Sequence, residues 1–236
     1  MSTVEERSLI KLNVEADVAT IVLNRPDVRN ALNRQLMIDL IDVAQSVSER
    51  EDIRTVLLTS EGQDFSVGAD LKEVAGMDPS GSLLRARRDA ELGRKLLTTI
   101  KSIHQPTICA VRGVATGGGA CLAAACDFRI ASQSARIGLG EVKVGMNLMW
   151  NAVPLFVELL GLSRAKRLIM SGDLLGAETL EQWGLLDEVC PDTELKNVAV
   201  QWARQYADLP PVAVQMIKRS VNQYALALSE AVMHMD

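Results

Sequence analysis

Apolar positions alternate or run together over 8–15 and again over Val18–Leu23, on either side of Glu15-Ala16-Asp17, which predicts a hairpin ended by Arg25-Pro26. Between 34 and 47, Met37, Leu40, Ile41, Ala44 and Val47 recur at helical spacing, so an amphipathic helix follows. The apolar run 55–59 reads as a short buried strand, and 61–70 as a glycine-bearing loop. A long charged helix is expected over 83–103, stopping before Pro106 because the residue preceding a proline avoids helical geometry. Thr107–Val111 is the next strand, 118–126 a helix of small residues and 128–131 a further strand. From Asn151 the pattern is mostly helical, broken at Gly161, Gly172, Gly184 and Pro191, with a terminal helical pair over 201–207 and 212–228. Strands alternating with helices predict a parallel α/β fold. The shift to pure helix near Thr193 is the expected boundary between a core, 1–192, and a C-terminal helical region, 193–236.

Composition narrows the class. The 236 residues include 48% hydrophobic but only 3% aromatic residues, so the core is built of Ala, Val, Leu, Ile and Met. A net charge of −5 disfavours nucleic acid and anionic membranes as partners. Cys109, Cys121, Cys126 and Cys190 lack metal-ligand spacing and read as buried free thiols; with two histidines, His104 and His234, no metal motif assembles. No signal-peptide pattern and no apolar run of membrane-spanning length is present, which makes the cytoplasm the expected compartment.

The candidate chemistry lies in two corners, Phe65-Ser-Val-Gly68-Ala69-Asp70 and Gly113-Val-Ala-Thr-Gly117-Gly118-Gly119-Ala120-Cys121. Small residues let a ligand approach backbone N–H groups, and the first turn of a helix leaves such groups unpaired and partially positive. Two such corners facing one another make an oxyanion hole. The glycines are not a dinucleotide fingerprint, which would need Gly at Leu122, nor a P-loop, because no Gly-Lys-Ser/Thr follows.

These corners, together with Asn24-Arg25-Pro26, Asn30-Ala31-Leu32-Asn33 and Cys126-Asp127-Phe128-Arg129-Ile130-Ala131, resemble the enoyl-CoA hydratase/isomerase (crotonase) family from about Ile10 to Asp236. The resemblance implies a spiral of ββα units, a helical C-terminal region used for trimerisation, and a homotrimer or homohexamer. It implies an acyl-CoA substrate, with coenzyme A as part of that substrate and no other cofactor. The backbone N–H groups of Ala69 and Gly118 would be the oxyanion donors. Val67, Ala69, Asp70, Leu71 and Lys72 would line the thioester site, and Ala31 would lie beside the CoA nucleotide. Arg25 and Arg29 flank that segment and are candidate phosphate contacts. The family pattern continues beyond the equivalent of Asp236 with one more helix.

The family commonly places carboxylates at two positions. Here the first is Cys121 and the second, after Ile137-Gly138-Leu139-Gly140, is Glu141. Hydration uses two carboxylates around a water, whereas moving a double bond needs one proton shuttle. A Δ3-Δ2-enoyl-CoA isomerase is therefore favoured, with Glu141 as base and Trp150, Met146 and Met149 suggesting an apolar acyl pocket. An enoyl-CoA hydratase and a non-catalytic acyl-CoA-binding subunit remain the alternatives. Asp70 and Asp127 read as structural, and Cys121 as a packed small residue rather than a nucleophile.

Overall fold

The expected hairpin forms between β2 (Ile10–Glu15) and β3 (Val18–Leu23), paired antiparallel from Ile10↔Leu23 to Glu15↔Val18, with Ala16 at a positive φ in the turn. A computed structural model of the chain describes residues 3–7, 9–70, 72–73 and 83–226. A strand the sequence pattern did not show, β1 (Thr3–Arg7), extends the hairpin by antiparallel pairing to β2.

Beyond the hairpin the main sheet is parallel. β3 pairs with β4 (Thr55–Ser60), β4 with β5 (Thr107–Val111), β5 with β7 (Phe128–Ser132) and β7 with β10 (Glu188–Cys190), giving the order β1-β2-β3-β4-β5-β7-β10. Both faces are covered, so the central strands are apolar throughout rather than alternating. On one face Val56, Leu58, Cys109 and Val111 join α1 (Arg34–Ser48) and α2 (Leu83–Ser102) in the larger core. On the other, Leu57, Ile108, Ala110 and Ile130 pack on α6 (Leu195–Ala207) through Leu195, Ala199, Ala203 and Ala207. The expected boundary at 193 thus falls just before a helix seated on the main sheet, with α7 (Pro211–Leu226) following.

A second, three-stranded sheet holds β6 (Val114–Thr116), β8 (Arg136–Gly138) and β9 (Leu175–Gly176). The chain passes from a main-sheet strand to a small-sheet strand and then to a helix: β5, β6 and α3 (Gly118–Ala125), then β7, β8 and, after a 3-10 turn, α4 (Val153–Ser171). These are the ββα units the resemblance implies. The mostly helical expectation after Asn151 needs correcting at β9 and β10, which α5 (Ala177–Trp183) separates. Strands of two or three residues carry too little periodicity to be read from sequence; they exist because distant partners offer a ladder.

All eight residues of α3 are buried. That burial on every side explains its run of Gly, Ala, Cys and Leu: no larger residue fits a helix enclosed by neighbours at close range. Three of the eight aromatic residues form one cluster, where Phe128 stacks on Tyr206 at 4.6 Å and Trp202 tilts against both, pinning α6 to β7. The four cysteines are free and buried, as expected. Among the described residues no helix is long and apolar enough to cross a membrane.

Candidate active site

Residues 66–70 form the first corner and are held from both sides. Ser66 bridges to Ala115 of β6, donating its N–H to Val114 O (3.1 Å) and accepting from Thr116 N (3.0 Å). Ala69 bridges to Leu32, with Leu32 N donating to Gly68 O (2.8 Å) and Asp70 N to Leu32 O (3.2 Å). In a parallel bridge those bonds come from the neighbours of Ala69, so its own N–H points away from Leu32. Ala69 is exposed, and among the described residues its N–H has no acceptor.

Two side chains that sequence reasoning missed brace this corner. The Ser66 hydroxyl, fully buried, donates to Asn30 O (2.8 Å) and accepts from Gly68 N (3.2 Å). Asp64 accepts from Val114 N (2.7 Å) and from Arg29 Nε (2.6 Å). Asn30, also buried, donates to Glu61 O and Asp64 O and accepts from Arg25 N, so all its polar atoms are matched. Two polar residues just before the recognised Gly68-Ala69-Asp70 were the available signal.

The second corner meets the first directly. A Cβ placed on Gly68 would lie 2.6 Å from Thr116 O and 3.2 Å from Gly118 N. Only glycine permits that approach, and Gly68 also has φ +83°. The three glycines opening α3 each face a different neighbour. A Cβ on Gly117 would come within 2.9 Å of Glu141 Oε1; one on Gly118 would strike the Trp150 ring at 2.5 Å; one on Gly119 would meet Ser66 O at 2.4 Å. Gly118, as the first residue of α3, has an N–H with no acceptor inside the helix and none elsewhere among the described residues. The unpaired amides of Ala69 and Gly118 thus belong to abutting corners, as an oxyanion hole requires.

Glu141 opens a 3-10 turn, Glu141–Val144, between Gly140 and a left-handed Gly145. Its Oε2 is buried without a hydrogen-bond partner. The two nearby cations that were the alternative explanation of this carboxylate are occupied elsewhere: Lys143 pairs with Asp173 (2.9 Å) and Arg136 donates to Ala135 O (3.0 Å). Burial pushes the Glu141 carboxyl above its ordinary value against an opposing backbone hydrogen bond. Cys121, one turn into α3, is buried; burial first and the Glu141 charge second push its thiol well above the ordinary range. A thiol so displaced stays protonated and makes a poor base.

The remaining candidates fall around this centre. Arg25 pairs with Asp70 at 2.6 Å and also donates to Ala31 O (2.9 Å); that guanidinium holds the Asp70 carboxyl below its ordinary value. Asp70 further accepts from Lys72 N (3.1 Å), the structural role expected of it. Asp127 likewise accepts from Thr107 N (2.7 Å) and pairs with Lys218. Arg29 is the more open arginine, with a side chain 57% exposed. Ala31 is buried, Val67 half-buried and Lys72 exposed, while Leu71 lies outside the described residues. Trp150 is half-buried against Gly118; Met146 is exposed and Met149 half-buried. A cavity of about 540 Å³ lies elsewhere, between α3, α4 and α7, and is lined by none of Ala69, Gly118 or Glu141. No group of three or more metal-ligating side chains assembles among the described residues.

Comparison with known proteins identifies the family. The profile of the family described as enoyl-CoA hydratase/isomerase matches residues 13–236. The short-chain-enoyl-CoA hydratase of Clostridium acetobutylicum is 32% identical over 219 residues, 92% of this chain and 82% of that protein. The 1,2-epoxyphenylacetyl-CoA isomerase of Escherichia coli is 33% identical over 211 residues, 89% of this chain and 80% of that one. The crystal structure of enoyl-CoA hydratase from Bacillus anthracis superposes with a TM-score of 0.87 at 30% identity, covering 97% of this chain and 92% of that one. With its fold, its two abutting glycine corners and its sequence in agreement, the chain belongs to the enoyl-CoA hydratase/isomerase family, a family of enzymes.

Proposed function

We propose that the protein moves the double bond of a 3-enoyl-CoA into conjugation with its thioester. The thioester oxygen accepts from Ala69 N and Gly118 N. Glu141 removes a proton from C2; the C–H electron pair passes into a dienolate whose oxygen charge the two amides stabilise. The same carboxyl, now protonated, delivers that proton to C4, leaving the double bond between C2 and C3 and the carboxylate restored. Each preorganised donor contributes about 3 kcal/mol in a dry site. The observation that carries this reading is a single carboxylate beside Gly117 whose buried Oε2 has no partner, with a buried thiol rather than a second carboxylate at position 121.

A second reading, hydration of a 2-enoyl-CoA, draws on the relatives named as hydratases. Ultraviolet assays separate the two. Conversion of a 3-enoyl-CoA without water uptake supports isomerisation; 3-hydroxyacyl-CoA from a 2-enoyl-CoA supports hydration; binding without turnover would reduce the chain to an acyl-CoA-binding subunit. Cys121→Ala is expected to keep isomerase kcat/KM within about threefold, because a neutral thiol transfers no proton. A hundredfold loss in that variant would place Cys121 in the chemistry.

In this reading coenzyme A enters only as part of the substrate, and Arg29 is better placed than Arg25 to meet its phosphates. We further propose a homotrimer or a pair of trimers. Helix α7 leaves Val212, Met216, Ile217 and Val221 at least 60% exposed, with Ile217 and Val221 along the cavity that faces α3 and α4, apolar surface of the kind that a second copy buries. Light scattering should return three or six chain masses; a monomer at micromolar concentration would refute this. Four buried free thiols suit a reducing, cytoplasmic setting.

A further inference from the structure

Trp150 has a conformation that nothing in the catalytic scheme requires. Its φ is +65° and that of Asn151 is +56°, two consecutive left-handed residues. Asparagine tolerates that region, but a bulky side chain there costs about 1–3 kcal/mol and persists only when its surroundings hold it. Those surroundings are two glycines on different helices. A Cβ on Gly93, in the middle of α2, would lie 2.0 Å from the indole Cε2, and one on Gly118 would lie 2.5 Å from Cη2 and Cζ3. The indole therefore spans the gap between α2 and the N-terminus of α3, its five-membered ring against Gly93 and its far six-membered edge against Gly118, with Leu32 Cδ1 near Gly118 as well. Gly93 is otherwise unexplained, since a glycine inside a long helix is destabilising by about 1 kcal/mol relative to alanine.

Resting on the reaction proposed above, we infer that Trp150 is a specificity-determining residue: its indole walls off the space between α2 and α3 and restricts the enzyme to short acyl chains. A thioester oxygen bound at Gly118 N sits beside the atoms the ring touches, so the first acyl carbons lie next to the ring. A tail that continued between the helices would have to pass through it.

The test compares a butenoyl-CoA with a decenoyl-CoA, both unsaturated at C3, and in parallel the affinities of butanoyl-CoA and decanoyl-CoA by calorimetry. Trp150→Ala is expected to raise the long-to-short ratio of kcat/KM, and of affinity, by about tenfold or more, in line with what a few methylene contacts contribute in an apolar pocket. Trp150→Phe, which keeps the packing but shortens the ring, shifts both ratios in the same direction by less and guards against a misfolded alanine variant. Ratios unchanged in both variants, with circular dichroism intact, would overturn the inference and leave Trp150 a packing residue. Ratios that shift in binding while no enoyl-CoA is turned over would uphold Trp150 and remove the proposed reaction instead.

Discussion

Glu141→Gln is expected to lower kcat by about a thousandfold while the affinity for a saturated acyl-CoA changes little, since a general base contributes roughly two to four orders of magnitude. The amide keeps the size of the side chain and the approach to Gly117 but cannot accept the C2 proton. The pH profile gives an independent reading. Burial raises the Glu141 carboxyl above its ordinary value, and the base is its ionised form. Hence kcat/KM should fall as pH drops through that raised value, on a limb above the usual ~4.3 of a free glutamate. Stability carries the opposite sign. An acid whose native pKa is raised contributes stability that is full below the unfolded value and is lost as pH rises through the native one. The glutamine variant should therefore melt above the wild type at neutral pH and level with it in acid. Wild-type kcat in the variant would remove Glu141 from the chemistry.

Gly68→Ala is the second large effect. Its backbone has φ +83°, and the added methyl would lie 2.6 Å from Thr116 O, so one corner must move away from the other. We expect a loss of about 2–4 kcal/mol in stability and of at least about a hundredfold in kcat/KM, because the corners carrying the two proposed donors would be pushed apart. Gly161→Ala is the control. That position has φ +70° and ψ 168° but open space around it, so the alanine variant should lose about 1–3 kcal/mol through backbone strain and no activity. Equal effects of the two substitutions on denaturant midpoint and turnover would show that the contact between corners carries no weight.

The parts of this architecture written in local pattern were legible. Helix α1 shows its apolar face at the right spacing, with Asn33 capping Leu36 N (2.9 Å), and the apolar runs at 55–59 and Thr107–Val111 are buried strands as read. The small sheet was not legible: β6, β8 and β9 are at most three residues long and are defined by pairing across tens of positions. The same division runs through the site. The two glycine corners stood out because small residues cluster in sequence, but that Gly68 leaves no room for a side chain against Thr116 O and Gly118 N is a tertiary fact. Ser66 and Asp64 looked like ordinary loop residues, since what they hold lies at Asn30 and Val114. Gly93 carried a signal, a solitary glycine within a helix, whose meaning emerged only with Trp150 in place.

The double bracing of residues 66–70 bears on how a ligand is received. With Leu32 on one flank and β6 on the other, the Ala69 amide proposed to receive the thioester oxygen is held in place before any ligand arrives. Association then freezes no loop there, and little conformational entropy opposes it. Amide hydrogen exchange along β6 and at Leu32 should already be slow in the empty enzyme and should slow only marginally when acyl-CoA docks.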